Sequence, residues 1–187
     1  GGNWVIAWQK HRQADLQKPD IAVARSSDNG MTWSQGQRVS RHINADHSIH
    51  QDPDITTDGQ GTWVIVWESD DNLNLSPDGA DFDILFSRST DNGATWSDHN
   101  VLHSGSDCRG SRDTPQIATA GQGNWIAVWE ALRPRSPESA REIHAAYSFD
   151  NAMTWSNRIN ISPVDFPPTL DFELPHQPSI ATDGSGN

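Results

Sequence analysis

The chain has 187 residues, and its 25 acidic and 13 basic side chains give a formal net charge of −12 at pH 7. So acidic a protein is expected to bind neither nucleic acid nor an anionic membrane surface. The sequence has no apolar run long enough to insert across a bilayer, and its single cysteine, Cys108, excludes an internal disulfide.

Near the N-terminus, Trp4-Val5-Ile6-Ala7-Trp8 begins a pattern that returns as Trp63–Trp67 and as Trp125–Trp129. Each copy is followed by a signature that reads Ser-x-Asp-x-Gly-x-Thr-Trp. The signature occupies Ser26–Trp33, Ser89–Trp96 and Ser148–Trp155. Copies lie 59 residues apart from Trp4 to Trp63 and 63 apart from Trp33 to Trp96, so one supersecondary unit is repeated.

Each unit is predicted to form four short strands, and the second unit shows them best. They are Asp54–Thr57, Trp63–Glu68, Phe82–Ser89 and a fourth strand near Val101. Period-two alternation puts Trp63, Ile65 and Trp67 on one face and two valines on the other, so both faces are apolar. Such a strand belongs in a small antiparallel sheet stacked between two similar sheets, and no helix is predicted.

The repeated signature has a mechanical explanation. Asp-Asn-Gly supplies a carboxylate for nearby backbone N–H groups and residues that tolerate positive φ, while Thr and Trp return the chain to a packed strand. Ala152 replaces the glycine in the third copy and is expected to strain the turn by about 1 kcal/mol. The residues assigned this structural role are Asp28, Gly30, Trp33, Asp91, Gly93, Trp96, Asp150 and Trp155.

The signature resembles the Asp-box, or BNR repeat, of the sialidase-type (neuraminidase) β-propellers. The resemblance implies an all-β propeller of four-stranded antiparallel blades, with about three blades within residues 1–187. We expect these blades to form about half of a six-bladed ring. The ring would be completed by the remaining blades of the same protein or, alternatively, by a second copy of the chain.

In a blade of this topology, the connections between the second and third strands emerge at the same end as the connections between blades. Here those connections are long and differ in every repeat, which is typical of a binding face. They comprise His11–Asp20, Arg41–Asp52, Glu68–Asp81, Ser104–Thr114, Glu130–Glu142 and Pro163–Gln177. We therefore expect ligands to bind at this end, opposite the Asp-boxes.

The segment Asp107–Asp113 holds the candidate site residues of that end. Arg109 and Arg112 are candidates to grip a carboxylate, and Asp113 is a candidate acid/base, because they precede an innermost strand. Alternatively, Arg112 and Asp113 form a surface ion pair or cap a turn. Arg133 belongs to a second basic cluster, which either attracts an anionic ligand or balances neighbouring glutamates.

Two glutamates, Glu68 and Glu130, follow the second-strand tryptophan at equivalent positions, and we expect them to belong to the blade. His42, His47 and His50 share one connection, but their spacing matches no zinc pattern. We predict neither a metal nor a cofactor, and we interpret these histidines as solvated loop residues.

Sialidases of this fold are exo-glycosidases that hold a sugar carboxylate with three arginines and use an Asp acid/base and a Tyr nucleophile activated by Glu. The resemblance therefore implies a sialidase-like glycoside hydrolase that removes terminal acidic sugars and is secreted, periplasmic or at the cell surface. This sequence lacks the Phe/Tyr-Arg-Ile-Pro motif, and Tyr147 precedes the third Asp-box, at the wrong end for a nucleophile. The alternative is a non-catalytic propeller that binds glycans or proteins.

Overall fold

The computed structural model describes residues 2–12, 15–40, 48–71, 82–103, 114–132, 141–162 and 177–184. These residues contain strands and no helix, and hence no helix that could cross a membrane. The strands are β1 (Trp4–Arg12), β2 (Asp15–Ser26), β3 (Gln37–Arg38), β4 (His50–Thr57), β5 (Trp63–Ser69), β6 (Asp83–Ser89), β7 (Asn100–His103), β8 (Gln116–Gly121), β9 (Asn124–Leu132), β10 (Arg141–Ser148) and β11 (Ile159–Asn160).

Three antiparallel sheets correspond to the three repeats. Their strand orders are β1-β2-β3, β4-β5-β6-β7 and β8-β9-β10-β11, so chain neighbours pair throughout. This confirms the predicted all-β architecture of small antiparallel blades. Strand β4 begins at His50, before the predicted Asp54, because its ladder with β5 continues past a register irregularity between Gln51 and Asp54.

Strand β5 lies between two apolar layers, as its alternation requires. Trp63, Ile65 and Trp67 pack against residues of the first sheet such as Ile21. Val64 and Val66 pack on the other side, against the third sheet. All seven residues of β5 are buried, because each face of this sheet is covered by a neighbouring sheet.

The Asp-boxes all lie at one end of the sheets. In the second and third repeats the box asparagine donates its backbone N–H to the turn between the first two strands. In the first repeat it donates to Gly2, which precedes β1. The bonds run from Asn29 to Gly2 O (3.2 Å), from Asn92 to Gly61 O (3.0 Å) and from Asn151 to Gly123 O (3.0 Å). The connections between the second and third strands, and those between sheets, therefore begin and end at the opposite end of the sheets, where we expect ligands to bind. The prediction of a long connection over His11–Asp20 is wrong, because β1 continues to Arg12 and β2 begins at Asp15.

Each box turn is built around its aspartate. Asp91 accepts from the Thr95 N–H at 2.8 Å, from the Thr95 hydroxyl at 2.6 Å and from the Ser89 hydroxyl at 2.8 Å.

Ala152 has a φ of 59° and is almost fully buried in the apolar layer between the second and third sheets. The buried methyl group offsets part of the backbone strain that an alanine meets there.

Candidate functional site

The starts of the second and third sheets and the segment 177–179 converge on one open cavity of about 400 Å³, which we call the axial cavity. It is lined by Asp52, Pro53, Thr114, Pro115, Gln116, Gln177, Pro178 and Ser179. The second repeat, the third repeat and the segment 177–179 that follows the third repeat therefore contribute the same short stretch, a polar residue followed by proline, to one wall. In a propeller the innermost strands surround the central axis, which is where ligand sites form.

The residue before each proline has a left-handed backbone. The φ angles are 51° at Asp52, 25° at Thr114 and 49° at Gln177. A proline disfavours the α region for the residue before it, and residues other than glycine rarely adopt a positive φ. Each such residue costs about 1–3 kcal/mol and persists only where its surroundings enforce it, which is characteristic of ligand sites.

Thr114 also carries a buried hydroxyl that has no partner among the described residues. Its Oγ1 atom is buried, and it makes no hydrogen bond with the residues that the structure describes. A buried hydroxyl in this state costs about 1–3 kcal/mol relative to a satisfied one. A residue of the cavity wall therefore carries a hydroxyl whose hydrogen-bonding capacity no described residue uses.

A carboxylate holds the backbone of the third repeat beside the cavity. Asp54 on β4 accepts the backbone N–H of Ile117 on β8, with 2.7 Å between Oδ2 and N. Burial raises the pKa of Asp54, and the hydrogen bonds from Ile117 and Ile55 partly oppose that rise. Asp54 thus ties two innermost strands together one residue beyond the cavity wall.

A second carboxylate acts in the same way on the segment 177–179 of the cavity wall. Glu130 at the end of β9 is buried and accepts the backbone N–H of Gln177 at 3.2 Å. It also forms an ion pair with Arg141 of β10. The equivalent residue of the second repeat, Glu68, is fully buried and accepts a hydrogen bond from the side chain of Gln51, next to Asp52. Their burial agrees with the expectation that both belong to the blade.

The candidate residues Arg109, Arg112, Asp113 and Arg133 lie outside the described residues, so their roles stay predictions. Arg112 and Asp113 directly precede Thr114 in the chain. Tyr147 does not line the axial cavity; it borders a separate apolar cavity with Trp125, and its ring lies 4.9 Å from that of Phe149.

Of the three histidines in the connection before β4, His42 and His47 lie outside the described residues. The interpretation of His50 as a solvated loop residue is wrong. This residue begins β4 and is fully buried, and its Nδ1 accepts from the Trp67 indole at 3.2 Å. The strand begins earlier in the chain than alternation alone indicates, so the imidazole packs beside the rings of Trp67 and His99.

Sequence reasoning missed Asp52, Thr114 and Gln177 as a set. The signal that could have found them is the recurrent X-Pro step at the start of each first strand. It also missed the links from Asp54 and Glu130, because nothing local in the sequence identifies an N–H acceptor on another repeat.

Comparison with known proteins agrees with the all-β fold of repeated blades. A family model described as a BNR repeat-like domain matches residues 3–176. A sialidase of Clostridium perfringens is 33% identical over 157 residues, which cover 78% of this chain and 37% of that protein. The chain thus spans little more than a third of the length of this curated relative.

Two solved structures share the fold. The Hadza microbial sialidase Hz136 aligns with a TM-score of 0.57 at 18% identity, over 82% of this chain and 34% of that chain. The GH93 alpha-L-arabinofuranosidase of Fusarium graminearum, solved with arabinobiose, aligns with a TM-score of 0.58 at 18% identity. The alignment covers 85% of this chain and 44% of that chain. The chain therefore belongs to the BNR repeat-like domain family and has the β-propeller fold of sialidase-like glycoside hydrolases.

Proposed function

We propose that this chain is part of a sialidase-like glycoside hydrolase and that its glycan binds in the axial cavity. The observation that carries the proposal is the convergence of three strained, polar pre-proline residues on that cavity. We further propose that the remaining blades of the same protein complete the ring, and that the protein is secreted, periplasmic or at the cell surface.

The size and chemistry of the cavity support a sugar ligand. A volume of about 400 Å³ is within the range of small-molecule sites. A sugar presents several hydroxyl groups on a compact ring, and each needs a donor or an acceptor when it leaves water. Carboxylate, hydroxyl and amide side chains at Asp52, Thr114 and Gln177 offer both.

The finer proposal is exo-action on a terminal acidic sugar. Arg112, together with Arg109, would hold the sugar carboxylate through bidentate hydrogen bonds, and Asp113 would serve as acid/base. Their support is their chain position, since Arg112 and Asp113 directly precede Thr114 of the cavity wall. Arg133 follows β9 and is proposed as a further anion ligand.

The second candidate function is glycan binding without catalysis. It is favoured by Tyr147, the one tyrosine of the sequence, which borders a cavity other than the axial one. If the protein is an enzyme of the sialidase type, its nucleophile comes from another part of the ring.

The test uses the intact protein with two panels, chromogenic sialosides and chromogenic arabinofuranosides, alongside a glycan-binding array. Release of the chromophore from sialosides, lost in Asp113→Asn and weakened at least tenfold in KM by Arg112→Ala, is the expected result. Binding without turnover would select the second candidate. Absence of both binding and turnover would overturn the proposal.

A further inference from the structure

We propose that Asp52, Thr114 and Gln177 form a hydroxyl-binding sector of the axial site, which takes the uncharged side of a sugar ring. This inference rests on the proposed glycan ligand. It adds the chemical group recognised by this part of the wall, namely neutral hydroxyls, and it assigns the specificity to three named side chains.

The first observation is how the repeats vary at this position. Each first strand keeps its proline, at Pro53, Pro115 and Pro178, while the residue before it is Asp, Thr or Gln. Here the backbone conformation is kept and the hydrogen-bonding group changes, as expected where each copy meets a different atom of one ligand.

The second observation is the hydroxyl of Thr114. Its Oγ1 is buried beside the axial cavity and makes no hydrogen bond within the described parts of the chain. A threonine hydroxyl can donate one hydrogen bond and accept two, so it matches a sugar hydroxyl, which can do the same. A site of this kind discriminates strongly against a ligand that lacks the matching hydroxyl.

The third observation is charge. Asp52 brings a carboxylate to the wall, and a carboxylate accepts hydrogen bonds from two adjacent hydroxyls but repels an acidic group. Gln177 is uncharged and can donate and accept. This sector therefore suits the neutral hydroxyls of the sugar and leaves any acidic group of the ligand to another part of the site.

The fourth observation is how the backbone is held at Gln177 and near Thr114. Asp54 binds the N–H of Ile117, close to Thr114, and Glu130 binds the N–H of Gln177 itself. Such contacts fix the backbone before the ligand arrives, which lowers the entropy cost of binding. The strained φ angles are then part of a preorganised wall rather than a flexible loop.

The experiment uses Thr114→Val in the intact protein, which keeps the shape of the side chain and removes the hydroxyl. The matched control is Thr119→Val on β8, which removes a hydroxyl that donates to Asn124 O at 2.7 Å, away from the cavity. Calorimetric titrations with methyl α-sialoside, methyl α-L-arabinofuranoside and their monodeoxy analogues give the affinities. Asp52→Asn serves as a second variant if Thr114→Val does not fold.

For the sugar that the wild type binds, we expect Thr114→Val to weaken affinity about tenfold, as for one lost hydrogen bond, and Thr119→Val to leave it unchanged. One monodeoxy analogue should bind the wild type and Thr114→Val equally, because its missing hydroxyl is the one that residue 114 contacts. Asp52→Asn should also weaken the parent sugar, by a similar factor.

The outcomes separate the two proposals. If the wild type binds a sugar and neither Thr114→Val nor Asp52→Asn changes its affinity, the hydroxyl-binding sector is wrong while the glycan site stands. If the wild type binds neither sugar nor any glycan on the array, the proposed function is wrong and this inference is overturned with it.

Discussion

Glu130 and Gln177 are 47 residues apart in the sequence, yet the buried Glu130 carboxylate accepts the backbone N–H of Gln177 at 3.2 Å. The same carboxylate pairs with Arg141. One side chain thus joins two strands of the third sheet to Gln177 in the wall of the axial cavity.

Removing this carboxylate should destabilise the fold. Glu130→Ala removes the acceptor of the Gln177 N–H and the partner of Arg141, whose side chain is 27% exposed and therefore reached by water, so we expect a loss of about 1–3 kcal/mol. Glu130→Gln keeps an acceptor oxygen for the Gln177 N–H, so we expect a smaller loss. The measurement is the free energy of unfolding in urea. Equal losses for both variants would contradict the role assigned to the N–H contact.

The tryptophans of the second strands should dominate stability. Trp67 and Trp129 are fully buried between sheets, and replacing either by Ala is expected to cost about 3–5 kcal/mol. Trp33 of the first Asp-box is 42% exposed and serves as the control, with a much smaller loss expected for Trp33→Ala. Thermal and urea unfolding measure the three variants. An unchanged melting curve for Trp67→Ala would contradict the packing of β5.

The contributions of Asp91 and Asp54 to the free energy of unfolding should change with pH in opposite directions. The pKa of Asp91 is lowered to about 2, mainly by the Thr95 hydroxyl, so its stabilisation is present above the unfolded pKa and lost as pH falls toward 2. Burial raises the pKa of Asp54, so its charged form is disfavoured in the fold. Its contribution is therefore greatest at low pH and declines as pH rises through the folded pKa.

Unfolding free energies of Asp91→Asn and Asp54→Asn, measured from pH 2 to pH 7, test this contrast. Asp91→Asn should be less stable than the wild type at pH 7 and approach it near pH 2. Asp54→Asn keeps an oxygen for the Ile117 N–H and should gain stability relative to the wild type as pH rises. Parallel pH profiles for the two variants would show that the assigned causes are wrong.

Replacing the glycine of the second Asp-box should lower stability more than the same change in the first Asp-box. Gly93 has a φ of 77°, and a Cβ there would lie 2.6 Å from Cγ2 of Val5. At Gly30, with a φ of 85°, the nearest atom would be 3.8 Å away. Gly30→Ala should therefore cost about 1 kcal/mol from backbone strain alone, and Gly93→Ala should cost more.

The excess cost of Gly93→Ala has a specific remedy. Combining it with Val5→Ala removes the clashing methyl, so the cost of Gly93→Ala in that background should fall to that of Gly30→Ala. A double-mutant cycle of unfolding free energies measures the coupling. If the two substitutions are additive, the packing of the second box turn against the first sheet is contradicted.

Local chemistry made much of the fold predictable. The Asp-box places its aspartate and its hydrogen-bond donors within a few residues of one another, as in the bonds from Ser89 and Thr95 to Asp91. Likewise, the alternation in Trp63–Trp67 identifies two apolar faces without reference to any other part of the chain. Both predictions depend on contacts that every repeat forms in the same way.

The sequence by itself determined the repeated four-stranded unit, its turn chemistry and the end of the sheets from which the long connections emerge. Only the tertiary structure decided that Asp52, Thr114 and Gln177 share one wall, and that Asp54 and Glu130 bind the backbone N–H groups of Ile117 and Gln177. The physical reason is that local periodicity specifies a sheet, whereas the side chains that meet at the axis depend on how successive sheets stack.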